Sequence, residues 1–442
     1  MFAAILLALV LTPTVAAQAP PPADQALIAR ARAIHDRVIT LDTHDDIDPL
    51  DFTAQCNYTQ LLTTQVDLPK MREGGLDVAF FIAYVGQGPL TQEGYANAYR
   101  QAIEKFDAVH RLTREIAPNQ IELALTAADV TRIARSGKKV AVIGIENGYQ
   151  IGTDIARVKE FYDRGGRYMS LAHNGHNQLS DSNNGEANNT APNGGLSPLG
   201  RQVIADMNRL GMMVDVSHPS KASNLQAMAL SRAPVIASHS SIRALANHSR
   251  NMDDEQLLAL KKNGGVIQMV AFNGYVKAEP AERARARAAA LTALRGEFGV
   301  TAAPAAPATG PRPCPVDGTV PPPAGLAAAV AALPPAQRAA YDRGFAAVMA
   351  TYPTPPRATV KEFVDHIDYA VKLIGIDHVG ISSDFDGGGG IDGWNTAAET
   401  FNVTLELVRR GYTEEQVGKI WSGNLLRVWS DVERVARQLR AN

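Results

Sequence analysis

"VITLDTHDDIDPL", residues 38–50, begins as β-branched and apolar chain and ends in a run of acids around one histidine. The first half has the composition of a buried strand. Along a strand, side chains alternate faces, so His44 and Asp46 point one way and Asp45 the other. An H-x-D pair on one face offers an imidazole nitrogen and a carboxylate oxygen to one metal ion. Asp42 shares that parity one layer deeper, where it is placed to support a ligand. Asp45 and Asp48 read as turn or cap residues.

Seven further runs have the same character: 76–85, 139–146, 167–173, 211–218, 233–239, 264–272 and 378–387. Amphipathic stretches such as "LGRQVIADMNRLG" (199–211) and "MDDEQLLALKKNG" (252–264) lie between them. The second of these starts with acids and ends with lysines and a glycine, the signals of a helix's two ends. Eight strands alternating with helices predict an α/β fold, a (β/α)8 TIM-type barrel. A doubly wound open sheet is the competing architecture, but no glycine-rich phosphate loop follows the first run. Residues 276–360 break the rhythm with Ala-rich helical pattern around the Pro-rich "TAAPAAPATGPRPCPVDGTVPPPAG". They read as an insertion between strands seven and eight of a barrel spanning 24–442.

The runs end alike, at His44, Glu146, His173, His218, His239 and Asp384. A parallel barrel gathers the C-terminal ends of its strands on one face, so these residues converge there. Singly, each has a bland reading: a hydrogen-bonded structural histidine, a helix cap at Glu146, a glycine-rich turn at Asp384. Together they call for one cause, and metal binding supplies it. Nitrogen and oxygen donors without thiolate suit Zn²⁺, with Mn²⁺, Co²⁺ and Fe²⁺ as alternatives. The number of donors suits two ions sharing a carboxylate.

Composition narrows the remaining classes. A formal net charge of −2 gives no global electrostatic case for nucleic acid or an anionic membrane. Residues 1–17, apolar and closing on Val15-Ala16-Ala17, read as a signal peptide without a basic start. A periplasmic or secreted chain with no stable membrane anchor follows. Cys56 and Cys314 are the two cysteines; they lack metal-ligand spacing, and both a disulfide and two free thiols fit.

Taken in order, "LDTHDD", "GIENGYQ", "SLAHNGHNQLSDS", "GLSPLGRQVIADMNRLGMMVDVSHPS", "ASHSSIRALANHSRNMDDEQL", "HVGISSDFDG" and "GNLLRVW" resemble the membrane (renal) dipeptidase family of the amidohydrolase superfamily, its bacterial members above all. The likeness covers about 28–275 and 360–432. It implies a zinc dipeptidase in which a hydroxide bridging two zinc ions attacks the peptide carbonyl. It also implies His44 and Asp46 on the first metal, Glu146 bridging, and His218 and His239 on the second. His173 would face the substrate and stabilise the oxyanion, Arg250 would bind the substrate carboxylate, and Asp384 would move the proton. The implied substrate is a dipeptide, including one with a C-terminal D-residue, and a homodimer is the default assembly. Two other readings stand beside it: an amidohydrolase acting on a lactone or an N-acyl amino acid, and a non-catalytic metal- or peptide-binding scaffold. The chain departs from the family in "NGYQIG" after Glu146 and in the 276–360 segment. His176 and His248, near the motifs, read as loop residues.

Overall fold

The computed structural model describes residues 22–301, 314–316 and 325–441; the segment read as a signal peptide lies outside them. Nine strands are present among the described residues: β1 Leu41–Asp46, β2 Val78–Tyr84, β3 Ile121–Leu123, β4 Lys139–Glu146, β5 Gly166–Ser170, β6 Met213–Asp215, β7 Ile236–Ser240, β8 Val266–Val270 and β9 Val379–Ser382. All pair in parallel in the order β1-β2-β4-β5-β6-β7-β8-β9, with β3 attached to β4 off this path. The ring closes where Asp46 donates its amide to the Phe385 carbonyl at 2.8 Å, beside a parallel bridge between Asp45 and Phe385. This is the expected (β/α)8 barrel with one added strand. β3 escapes the sequence pattern because three residues are too few to show a period.

Parallel strands covered on both faces need apolar side chains on both. β2 shows the division. Val78, Phe80 and Ile82 join a cluster with Tyr168 and Trp429, while Ala79, Phe81 and Ala83 join the larger one. Burying a Phe80 or Phe81 side chain fully is worth roughly 1.5–3 kcal/mol. The helices have the ends their sequences announce. Asp253 caps Asp254–Asn263 through the Gln256 amide, and Gly264 closes it at φ 85°, a left-handed conformation that glycine adopts without strain. Between β8 and β9 the helices Ala281–Glu297, Gly325–Ala331 and Pro335–Thr351 carry their own small apolar cluster around Leu294, Val300 and Tyr341. Cys314 is disulfide-bonded to Cys56, and Thr63 donates to the Pro315 carbonyl at 2.6 Å. Chain from this region is thereby tied to the loop that follows β1.

Three of the six expected strand ends lie just past their strands. His173, His218 and Asp384 follow β5, β6 and β9 by two or three residues and stand on the first loop residues. Strict alternation also fails where it matters. The pairing of β1 with β2 slips by one residue between Asp42 and Asp45, and that of β7 with β8 between Ala237 and Ser240. Each bulge surrounds a histidine, His44 in one strand and His239 in the other. Such an extra residue bends the strand and re-aims its side chains.

Candidate metal centre

The C-terminal mouth of the barrel holds a cavity of about 560 Å³ whose walls include Asp46, Glu146, His173, His218, His239 and Asp384, with Arg250 beside them. His44 lies beneath, buried, with Nε2 at 3.5 Å from Glu146 Oε2, 3.7 Å from Asp46 Oδ2 and 3.9 Å from Asp384 Oδ1. The other oxygen of Glu146 faces a different set. Its Oε1 is 2.8 Å from His218 Nε2, 3.3 Å from His239 Nε2 and 3.9 Å from His173 Nε2. One carboxylate thus has an oxygen in each half of the site. Three groups of donor atoms are close enough to hold an ion: His44/Asp46/Glu146, Glu146/His173/His218 and His44/His239/Asp384.

The Nδ1 partners of His44, His239 and His218 leave Nε2 of each ring, when neutral, without a proton. Tyr168 donates its hydroxyl to the Thr43 carbonyl at 2.9 Å, so the same oxygen accepts from His44 Nδ1, also at 2.9 Å. Ser238 donates to Asp215 Oδ2 at 2.7 Å and accepts from His239 Nδ1 at 2.8 Å. His218 Nδ1 faces the side-chain oxygen of Asn174 at 3.3 Å. Partners of this kind orient metal-binding histidines and choose their tautomer. The lone pairs of His218 Nε2 and His239 Nε2 then face each other at 2.9 Å, a repulsive contact unless a cation lies against both. His44 Nε2 and Glu146 Oε1 have no hydrogen-bond partner although buried. Buried polar atoms left in this state cost free energy. The residues present therefore fit a metal centre of nitrogen and oxygen donors, and the cysteines, joined to each other, take no part.

The charges follow from the same packing. Burial works against ionisation of Glu146, but His44, His173 and His218 hold its pKa well below the usual range. Burial, with help from Arg250 and neighbouring imidazoles, keeps His218 and His239 well below the ordinary histidine value, hence neutral. For His44, burial is outweighed by Glu146 and Asp46, which push its pKa up in the metal-free chain. Burial, opposed by His44 and reinforced by Asp46 and Glu146, pushes Asp384 up to about 8. His218 (φ 78°), Asp384 (φ 61°), Asp386 (φ 58°) and Asn147 next to Glu146 (φ 78°) all have a positive φ. Non-glycine residues held there store strain, and four at one mouth mark a site that the surrounding fold over-determines.

The candidate residues read from the sequence thus all meet in one place. Arg250 is buried, donates Nη2 to the His239 carbonyl at 3.1 Å, lies 5.3 Å over the Tyr275 ring and keeps an unpartnered Nε. Asp48 caps the short helix Pro49–Asp51, as a cap residue should. Asp45 is no turn or cap residue: it is fully buried and accepts from Ser383. Asp42 takes backbone amides of His44 and Ser383 rather than an imidazole; Tyr168 has the supporting place. His176 and His248 sit on loops, the first bonded to Thr190 and the second against Tyr275. "NGYQIG" is structural: Asn147 donates to Val85, and Gln150 to Ala83 and Glu146 carbonyls. Sequence reasoning missed Tyr168, Asp215, Ser238, Tyr84 and Lys105. For Tyr84 a signal was available, since it is the one polar aromatic near the end of the second run and closes β2.

Comparison with known proteins places the chain in a family. The family model described as membrane dipeptidase (Peptidase family M19) matches residues 28–442. A dipeptidase, aclJ, of Aspergillus oryzae is 30% identical over 380 residues, which are 85% of this chain and 72% of that protein. A crystal structure of the probable dipeptidase PvdM from Pseudomonas aeruginosa superposes with a TM-score of 0.75 at 33% identity, covering 93% of this chain and 100% of that one. A metallo peptidase from Rhodobacter sphaeroides shares the fold at a TM-score of 0.63 and 20% identity, covering 89% and 99%. The chain belongs to the membrane dipeptidase family, Peptidase family M19, and is a dipeptidase of that metallopeptidase family.

Proposed function

We propose that this chain hydrolyses the peptide bond of dipeptides at a centre of two zinc ions bridged by Glu146. The observation that carries the reading is the division of Glu146, with Oε2 toward His44 and Oε1 toward His218 and His239. On this reading His44 and Asp46 hold one ion with Glu146, and His218 and His239 hold the other. Bound there, two divalent ions supply a hydroxide at neutral pH and a Lewis acid for the scissile carbonyl.

The protein's own groups do the rest. Burial pushes Tyr84 up to about 12, so its phenol keeps its proton, and its hydroxyl lies 3.4 Å from His173 Nδ1. A proton on Nδ1's neighbour Nε2 then faces the cavity, where it can donate to the carbonyl oxygen as that oxygen gains charge. Arg250 presents its guanidinium to the C-terminal carboxylate, which limits the substrate to very short peptides. A grip on the carboxylate rather than the side chain accommodates a D-residue at that position. Asp384, buried in the cavity wall, takes the proton given up by the nucleophile and passes it to the leaving amine.

We read residues 276–360 as an insertion into the barrel and residues 1–17 as an export signal, placing the mature chain in the periplasm or outside the cell. The Cys56–Cys314 disulfide suits such an oxidising compartment. A homodimer is the assembly we propose. No described helix is long and apolar enough to cross a membrane. The test is turnover of a dipeptide panel by zinc-loaded wild type and Asp384→Asn. Loss of a general acid/base costs about 10²–10⁴-fold in rate. Bound metal with no turnover of any dipeptide would overturn the substrate assignment.

A further inference from the structure

The cavity has a second cation that the hydrolytic reading leaves without a task. Lys105 is carried by the helix Gln92–Arg111, which follows β2, and it lines the same cavity as Arg250. Its ammonium lies 5.6 Å over the Tyr84 ring, and the Tyr84 ring packs at 4.6 Å on that of His173. Among the described residues no carboxylate comes within ion-pair distance of it, although Asp46, Glu146 and Asp48 are near enough to act on it electrostatically. Two of those three are committed to the proposed cations. A lysine on a helix ordinarily carries its ammonium out to water. One kept inside a cleft without a contacting anion is costly, and an anion brought by a ligand offsets that cost.

Position says which part of the ligand meets it. In the strand order of the ring, β2 and β7 stand four places apart among eight, so they face each other across the barrel. Arg250 follows β7 and Lys105 follows β2; Glu146 lies between, at the end of β4. With the C-terminal carboxylate at Arg250 and the scissile bond at Glu146, the N-terminal residue extends toward the β2 side. A residue spans only about 3.3–3.6 Å, so a dipeptide reaches across such a cleft without needing further chain.

We infer that Lys105 makes the site select dipeptides whose N-terminal residue bears a carboxylate side chain, Glu or Asp. This inference rests on the dipeptidase reading for its orientation. The test compares Glu-Ala with Gln-Ala, which differ by a charge and little in shape. Two readouts are taken on the zinc-loaded full chain: kcat/KM for the peptides, and calorimetric binding of their non-hydrolysable reduced-amide (CH2–NH) analogues. In wild type the glutamyl ligand is favoured by about tenfold or more, the scale of a hydrogen bond to a charged group. In Lys105→Met the ratio falls to within about twofold, and Lys105→Arg retains part of it. Because the ratio is taken within each protein, effects common to both ligands cancel. Equal handling of the two ligands by wild type, or a preference that survives in Lys105→Met, overturns the inference. Should Lys105→Met not fold, Lys105→Gln takes its place, and the wild-type ratio remains decisive. If neither peptide is hydrolysed but the analogues keep the Lys105-dependent preference, dipeptide hydrolysis fails and the assignment of Lys105 stands. If both are hydrolysed without preference, the reverse holds.

Discussion

Replacing Tyr168 by Phe deletes one oxygen and touches none of the proposed metal ligands, yet the centre should weaken. The hydroxyl accepts from His44 Nδ1 and donates to the Thr43 carbonyl, both at 2.9 Å, in a buried setting. Without it the Nδ1 proton is left unsatisfied at a cost of about 1–3 kcal/mol. His44 escapes that cost by moving its proton to Nε2, where Glu146 and Asp46 lie 3.5 and 3.7 Å away to receive it. A proton on Nε2 competes directly with a metal ion. Loss of such an outer partner typically lowers metal affinity 10–100-fold, which is about 1.4–2.7 kcal/mol. The assay is zinc competition against a chromophoric chelator, with thermal denaturation of the metal-free protein as a check on folding. Gly144→Ala provides an independent route to the same defect. Its Cβ would sit 2.6 Å from a Tyr168 ring carbon and 2.7 Å from the hydroxyl, so the ring must move away. A folded Tyr168→Phe protein that binds zinc as tightly as wild type refutes the reasoning.

Three further outcomes follow from the same structure. Ser238→Ala breaks the link from Asp215 to His239 and should lower zinc affinity by a similar 10–100-fold, read by the same competition. Cys56→Ser removes the bond between the loop after β1 and the Cys314 segment and should cost about 2–4 kcal/mol, seen as a lower denaturation midpoint; an unchanged midpoint would show that the bond contributes nothing to stability. Burial lowers the pKa of His35, which is bonded to Thr404 Oγ1 at 2.7 Å and the Gly74 carbonyl at 2.9 Å. A histidine whose folded pKa lies below its unfolded value of about 6.5 favours the fold fully above that value, and its contribution is lost as pH falls through 6.5 toward the folded pKa. Wild type should therefore lose stability more steeply than His35→Gln as pH falls below about 6.5, and parallel profiles would contradict this.

The frame of the molecule and its polar mouth were legible because both depend on short-range pattern. Most barrel strands announce themselves by an apolar, β-branched run, and the residue closing it names the face on which it ends. That is why His44, Glu146 and Asp384 could be brought together across more than three hundred positions. The supporting residues were not legible, for an equally physical reason. Tyr168 in "RYMSLAH" has the look of a core aromatic, and only the closed barrel puts its hydroxyl on a histidine 124 positions away. Asp215 and Ser238 look like ordinary strand residues until β6 and β7 lie side by side. Strict alternation puts Asp45 outside, whereas β1 bulges between Asp42 and Asp45 and is buried on both faces. Lys105 sits in an amphipathic helix whose sequence does not reveal that one lysine turns to the cleft.

In the proposed centre one carboxylate, Glu146, serves two metal ions. This double role is tested most directly by counting zinc in the zinc-reloaded, dialysed full chain by mass spectrometry, for wild type and Glu146→Gln side by side. Two ions per chain are expected in wild type and the loss of at least one of them in Glu146→Gln, since a neutral amide cannot supply an anionic oxygen to each half of the site. A folded wild-type chain that holds no zinc, or a Glu146→Gln chain that retains both ions, would contradict it.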